Sequence, residues 1–206
     1  MTRLAFLLLA GALALAAQPR LFFSKTFPGS TPAYVEIVLE KDGACVYRED
    51  PKDEAPLKFK LSPSDTAAMF DLAEKLDRFQ RPLESGLNVA KMGEKVFRWE
   101  EGETRHEQKF NYSIDETAKA LHEWFEKISE TEQRLMHLER SVKFDRLGVN
   151  QAILYVEAAW DKKRLVAVEQ FIPLLERVVK NSGYLNMARE RARYLVETFR
   201  GPGKAE

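Results

Sequence analysis

The hydrophobic period of this chain changes for good close to Ser113. Before it, apart from one helical stretch, apolar residues mostly alternate with polar ones, the repeat of a half-buried strand. After it they recur every three or four positions, the repeat of a helix packed on one side. Strands followed by helices, rather than alternating with them, predict an α+β fold. We expect an antiparallel sheet of about five strands with two packed helices over residues 18–129. A C-terminal all-helical segment of antiparallel helix pairs follows over 130–200, then a frayed tail at 201–206.

Within the first part, Leu21-Phe22-Phe23 starts a strand, and Val35, Ile37 and Leu39 share one face of the next. Asp42-Gly43 is a hairpin signal, because a tight primed turn needs positive φ. A two-residue loop there pairs Leu39 with Val46 and Glu40 with Cys45, and puts Val46 on the Val35 face. Leu57 to Leu61 alternates as a further strand. Ser62-Pro63-Ser64-Asp65 opens a helix, with Ser as cap and Pro in the first turn. Its stripe is Met69, Leu72, Ala73, Leu76 and Phe79, and Arg81-Pro82 ends it. Glu94 to Tyr112 forms a second hairpin turning at Glu101-Gly102. Phe97, Trp99, Thr104, His106, Phe110 and Tyr112 take one face, and Arg98, Arg105, Glu107, Lys109 and Asn111 the other.

In the second part, Ser113 and Glu116 have the spacing of a capping box. The stripe Ile114, Ala118, Leu121, Phe125, Ile128, Leu135, Leu138 and Val142 predicts one long helix ending by Phe144. Val149–Trp160, Leu165–Lys180 and Tyr184–Phe199 are further helices, with Pro173 kinking the middle one or marking its true start. Leu138 to Lys143 resembles Leu175 to Lys180, a weak repeat at an offset of 37 positions.

Residues 1–17 read as a cleavable signal peptide. Arg3 supplies the positive end, Leu4 to Leu15 an apolar run too short for a membrane span, and Ala14, Ala16 and Ala17 a cleavage site. The expected location is the bacterial periplasm or exterior, and no membrane span is expected in the mature chain. Cys45 is the only cysteine, so no disulfide forms within the chain. Lys+Arg and Asp+Glu each number 32, and a neutral exported chain is not built to bind nucleic acid.

Chemistry is sparsely signalled. His122-Glu123-Trp124-Phe125-Glu126 starts like a zinc-peptidase helix but lacks the second histidine. His122 and Glu126 share a helix face, and His106 is the nearest third donor, so His106, His122 and Glu126 are the metal candidates. We expect no metal or other cofactor. There is no phosphate-binding glycine motif and no G-x-S-x-G elbow, and no catalytic residue stands out. Acid pairs such as Glu100/Glu101, Asp53/Glu54 and Glu130/Glu132 read as solvated faces. So do Lys162-Lys163-Arg164 and Arg189, Arg191 and Arg193, interleaved with acids. The aromatics are numerous, and Trp124, Trp160 and Tyr184 are the partner-binding candidates.

Several turn and core positions recur together: Val35-Glu36-Ile37, Asp42-Gly43, Tyr47, Leu61-Ser62, Phe70, Phe79, Gly93, Phe97 and Gly102. Their order resembles that of small exported bacterial domains of unknown function that begin on such a hairpin. The resemblance covers about half the chain and implies export without naming a catalytic residue. The Gly- and Cys-containing start of those domains is absent. The expected function is a non-enzymatic interaction or structural module contacting another envelope protein. The alternatives are a hydrolase-like envelope enzyme and a small-ligand binder using a cleft between sheet and helical tail.

Overall fold

The computed structural model describes residues 17–201. The expected signal peptide and frayed tail lie outside them, but for Ala17 and Gly201. The fold is α+β, as expected, with one strand more. The strands are β1 Arg20–Thr26, β2 Tyr34–Glu40, β3 Ala44–Arg48, β4 Leu57–Lys60, β5 Glu94–Glu101 and β6 Thr104–Phe110. They form one antiparallel sheet in the order β4-β3-β2-β1-β5-β6. The first strand is central: it joins the two hairpins, and its Leu21 and Phe23 are fully buried.

The first hairpin departs from the expected register. Leu39 pairs with Cys45 and Ile37 with Tyr47, leaving a three-residue loop, Lys41 to Gly43. The Gly43 N–H donates to the Glu40 carbonyl at 3.0 Å, and Gly43 takes φ +91°. A turn closed by a left-handed glycine adds one residue to the loop. Because side chains alternate, that one residue exchanges the faces of β3. Cys45 and Tyr47 are therefore buried, and Val46 is not. At the second hairpin Glu101 pairs with Thr104, so the turn is Gly102-Glu103. This register differs from expectation by an even step, which preserves the faces. Phe97, Trp99 and Phe110 are buried inside, while Arg98, Glu100, Arg105 and Glu107 form an ion-paired ladder outside.

Helix α1, Pro63–Lys75, begins as expected: the Ser62 side chain accepts from the Asp65 N–H. It ends earlier than Phe79, because Asp77, Arg78 and Phe79 all take positive φ and form a 3₁₀ turn. Phe79 still reaches the core. Helix α2, Glu116–Phe144, is capped by Asp115 rather than Ser113, with Asp115 Oδ1 accepting from the Thr117 and Ala118 N–H groups. Ile114 consequently precedes the helix and is exposed. Helices α3 Val149–Asp161, α4 Ile172–Lys180 and α5 Asn186–Arg200 complete the chain. Pro173 sits in the first turn of α4, preceded by a 3₁₀ turn at Val168–Phe171, so it marks the true start.

Two apolar cores result. The first lies between the inner sheet face, α1 and the N-terminal half of α2, and contains Phe23, Ile37, Tyr47, Phe70, Phe97 and Phe125. The second lies among α2–α5 around Leu138, Ile153, Phe171, Leu175 and Leu195. The boundary expected at 129/130 falls inside α2, which contributes Leu121, Phe125 and Ile128 to the first core and Leu138 and Val142 to the second. Leu138 and Leu175, equivalent in the weak repeat, are both fully buried in the second core.

Candidate functional site

Helix α2 sets His122 and Glu126 one turn apart, above the Thr26 end of the sheet. There β1 and β5 place Lys25 opposite Lys95. Glu126 Oε1 lies 3.0 Å from Lys25 Nζ and 3.2 Å from His122 Nε2. The histidine contact has the distance of an ion pair but not the angles of a hydrogen bond, and Nε2 is buried without a hydrogen-bond partner. His122, and then Lys25, hold the Glu126 carboxyl down to about 2 against the opposing effect of burial. Lys95 is 7% exposed. Burial lowers its pKa, as does the charge of Lys25.

His106 does not join this group. It pairs across the hairpin with Trp99, four strand positions from Lys95, or about 13 Å along β5. Its Nδ1 is buried without a partner. The candidate third donor is therefore at the other end of the sheet. Among the described residues no three His, Cys, Asp or Glu side chains are placed to hold a metal ion.

Two clefts border the Lys95 end. The larger, about 920 Å³, lies where the chain from 82 to 93 crosses the ends of β1, β5 and β6. Phe27, Leu87, Val89 and Phe110 give it an apolar wall, and Glu84 and Lys109 sit at its polar side. Asn111 fastens this segment: its N–H donates to Glu84 Oε2 at 2.6 Å, and its Oδ1 accepts from the Met92 N–H at 2.7 Å. Gly93 permits the close crossing, since a Cβ there would lie 2.8 Å from that of Phe27. This cleft lies at the strand ends, not between sheet and helical tail where the ligand-binding alternative put one. The smaller cavity, about 110 Å³, lies beneath Lys95, Lys119 and His122.

The aromatic candidates turn inward. Tyr184 is buried, and its hydroxyl donates to the Val142 carbonyl at 3.1 Å. Trp160 packs edge-on to Phe199 with centroids 5.3 Å apart. Trp124 is half-buried on the first core, with the Lys127 ammonium 5.1 Å from its ring. Of the basic runs, two members are ion-paired: Arg164 meets Glu130, and Arg191 meets Glu157.

Exposed apolar side chains lie elsewhere, among them Leu87, Met92 and Ile114, and four of them belong to the tip of the helical segment. Phe144 and Leu147, 83% and 81% exposed, occupy the α2–α3 turn, and Leu185 and Met187 lie at the start of α5. Arg146 ties the two turns together, donating to the Gly183 carbonyl and stacking 5.8 Å from the Tyr184 ring. Sequence reading missed this tip because its residues come from two turns rather than one stripe.

It also missed Glu132. Read as solvated with Glu130, Glu132 is instead fully buried between the cores. Its Oε1 accepts from Gln170 Nε2 at 3.0 Å, and its Oε2 has no partner. Burial raises its pKa to about 7. Nearby Cys45 is also buried, and burial first, then the charge of Glu132, pushes its thiol well up. A neutral buried thiol is a packing residue rather than a nucleophile.

Among known proteins, no family model, curated protein or solved structure matches this chain.

Proposed function

We propose that this chain is an exported, non-enzymatic interaction module of the cell envelope, and that the tip of its helical segment is the contact surface. The carrying observation is the exposure of Phe144, Leu147, Leu185 and Met187 on two adjoining turns. Large apolar groups gathered on a surface support an association site when the molecule has no internal use for them. Residues 130–200 hold thirteen basic and ten acidic side chains, whereas 18–129 hold seventeen and twenty-one. Arg146 and Arg189, beside the tip, reach carbonyl oxygens and pair with no carboxylate among the described residues. The matching partner is an envelope protein with an apolar hollow and an acidic rim. Export rests on the signal-like residues 1–17. No helix among the described residues is long and apolar enough to cross a membrane.

The test has two arms. Cell fractionation with and without residues 1–17 should move the chain from the envelope compartment to the cytoplasm. A photo-crosslinker at position 147 should give one discrete adduct that the same probe at Lys58 does not. The purified adduct partner should bind Phe144→Glu at least tenfold more weakly than wild type. Equal binding by the variant, or adducts with lipid alone, overturns the reading.

A second reading, a small-ligand binder, is favoured by the 920 Å³ cleft, which exceeds the roughly 300 Å³ lower range of ligand sites. Ligand-dependent protection of 82–93 from hydrogen exchange would distinguish it from the first.

A further inference from the structure

The smaller cavity differs chemically from the cleft beside it. Lys95, Lys119 and His122 line it on one side, and Phe110 and Ala118 supply apolar walls. Lys95 enters from the inner sheet face, where a charged side chain is costly without an acidic partner. Its ammonium donates to the Asn111 carbonyl at 2.7 Å and more weakly to that of Gly93 at 3.4 Å. An ammonium has three donors, so one remains. No carboxylate pairs with Lys95 among the described residues. The surrounding acids are already engaged: Glu126 by Lys25 and His122, Glu116 by Lys119 at 2.7 Å, and Glu84 by the Asn111 N–H. Ser113, also on the lining and buried, accepts from the Asp115 N–H at 3.3 Å. A hydroxyl that accepts there still has its own proton to donate.

This arrangement wants one negative charge and a short apolar body. We propose that the cavity is a binding site for a small monocarboxylate. The carboxylate takes the free donor of Lys95 and the Ser113 hydroxyl, with His122 alongside, and the carbon chain lies against Phe110 and Ala118. A cavity of about 110 Å³ suits a short-chain acid. The apolar walls favour a carboxylate over inorganic phosphate, whose oxygens would meet Phe110 and Ala118 unsatisfied. The site stands independently of any docking at the helical tip.

The probe is propionate, titrated into the purified protein and followed by NMR, with phosphate and chloride as parallel titrations. Saturable shifts at Lys95, Ala118 and His122 are expected with propionate only, together with cross-relaxation from its methyl group to Ala118 and Phe110. Lys95→Met should weaken binding at least tenfold. Ala118→Val, which narrows the cavity and leaves every charge in place, should do the same, so the result does not depend on one variant folding. Absence of saturable propionate shifts in the wild type, equal saturation by phosphate, or wild-type affinity in both variants overturns the proposal.

Discussion

Gln170 Nε2 donates to one oxygen of Glu132 at 3.0 Å, and nothing donates to the other. The side chain is fully buried, and its pKa is raised from 4.5 to about 7. The folded protein therefore holds a proton that the unfolded chain releases at lower pH. Stability is full below 4.5, falls as the pH rises from there towards 7, and then levels. The loss is on the order of 3 kcal/mol. Glu132→Gln should remove that part of the pH dependence, as read from denaturant melts at pH 4.5 and 8. An unchanged difference between the two melts would show that Glu132 is not its source.

Glu126 has the opposite sign. Held at about 2 by His122 and Lys25, it stabilises the fold above the ordinary carboxyl range, and this is lost as pH falls from 4.5 towards 2. The side chain is 31% exposed, so solvent screening limits the effect to about 1 kcal/mol. Glu126→Gln should cost that much at pH 7 and almost nothing at pH 2. A cost that persists undiminished at pH 2 would assign the loss to packing instead.

Gly43 carries the first hairpin. Its φ is +91°, and a Cβ there would lie 2.9 Å from the Leu61 carbonyl oxygen and 3.1 Å from Thr66 Oγ1. Gly43→Ala should destabilise by about 1–3 kcal/mol, combining backbone strain with that clash. Thermal melts decide it: a variant melting with the wild type would mean the loop is not the three-residue one.

The start of α2 offers a comparison of two neighbouring residues. Asp115 accepts two helix N–H groups and pairs with Arg81 at 2.7 Å, whereas Ser113 accepts only from the Asp115 N–H. Asp115→Ala should cost about 1–2 kcal/mol, and Ser113→Ala less. Equal losses in urea unfolding would return the cap to Ser113.

The stacked pair Phe23 and Phe125, with centroids 4.6 Å apart and planes 8° from parallel, joins the central strand to α2. Phe125→Ala should cost about 3–5 kcal/mol, the usual loss for a deleted core aromatic. A double-mutant cycle with Phe23→Ala should show coupling, and strict additivity would mean that the two rings do not act as a unit.

These residues also mark what could be read from sequence. Periodicity disclosed the fold class, the helix over 116–144 and the buried aromatics of the second hairpin, because each is a local repeat. The first hairpin exposed the weakness of that approach. Asp42-Gly43 located the turn correctly, but one additional loop residue exchanged Cys45 and Tyr47 with Val46. Loop length depends on the backbone angles of Gly43, which the Leu61 N–H, donating to the Gly43 carbonyl, helps to fix from a distance. At the candidate site, His122 and Glu126 were visible as a pair on a helix. Lys25 and Lys95 were not, since only the β1–β5 register brings them there. Glu132 was hidden for the same reason: nothing local distinguishes a glutamate facing two cores from one facing water.

Helix α2 runs for 29 residues without interruption and belongs to both cores. At 1.5 Å per residue it is a rod about 43 Å long. Phe144 stands at its last turn and Phe125 lies under its first half, clamped on Phe23. A load applied at the tip is therefore carried as tilt to the central strand, with no loop in between to absorb it. Under the proposed function, a partner seated on the tip would be held at a set distance and bearing from the sheet.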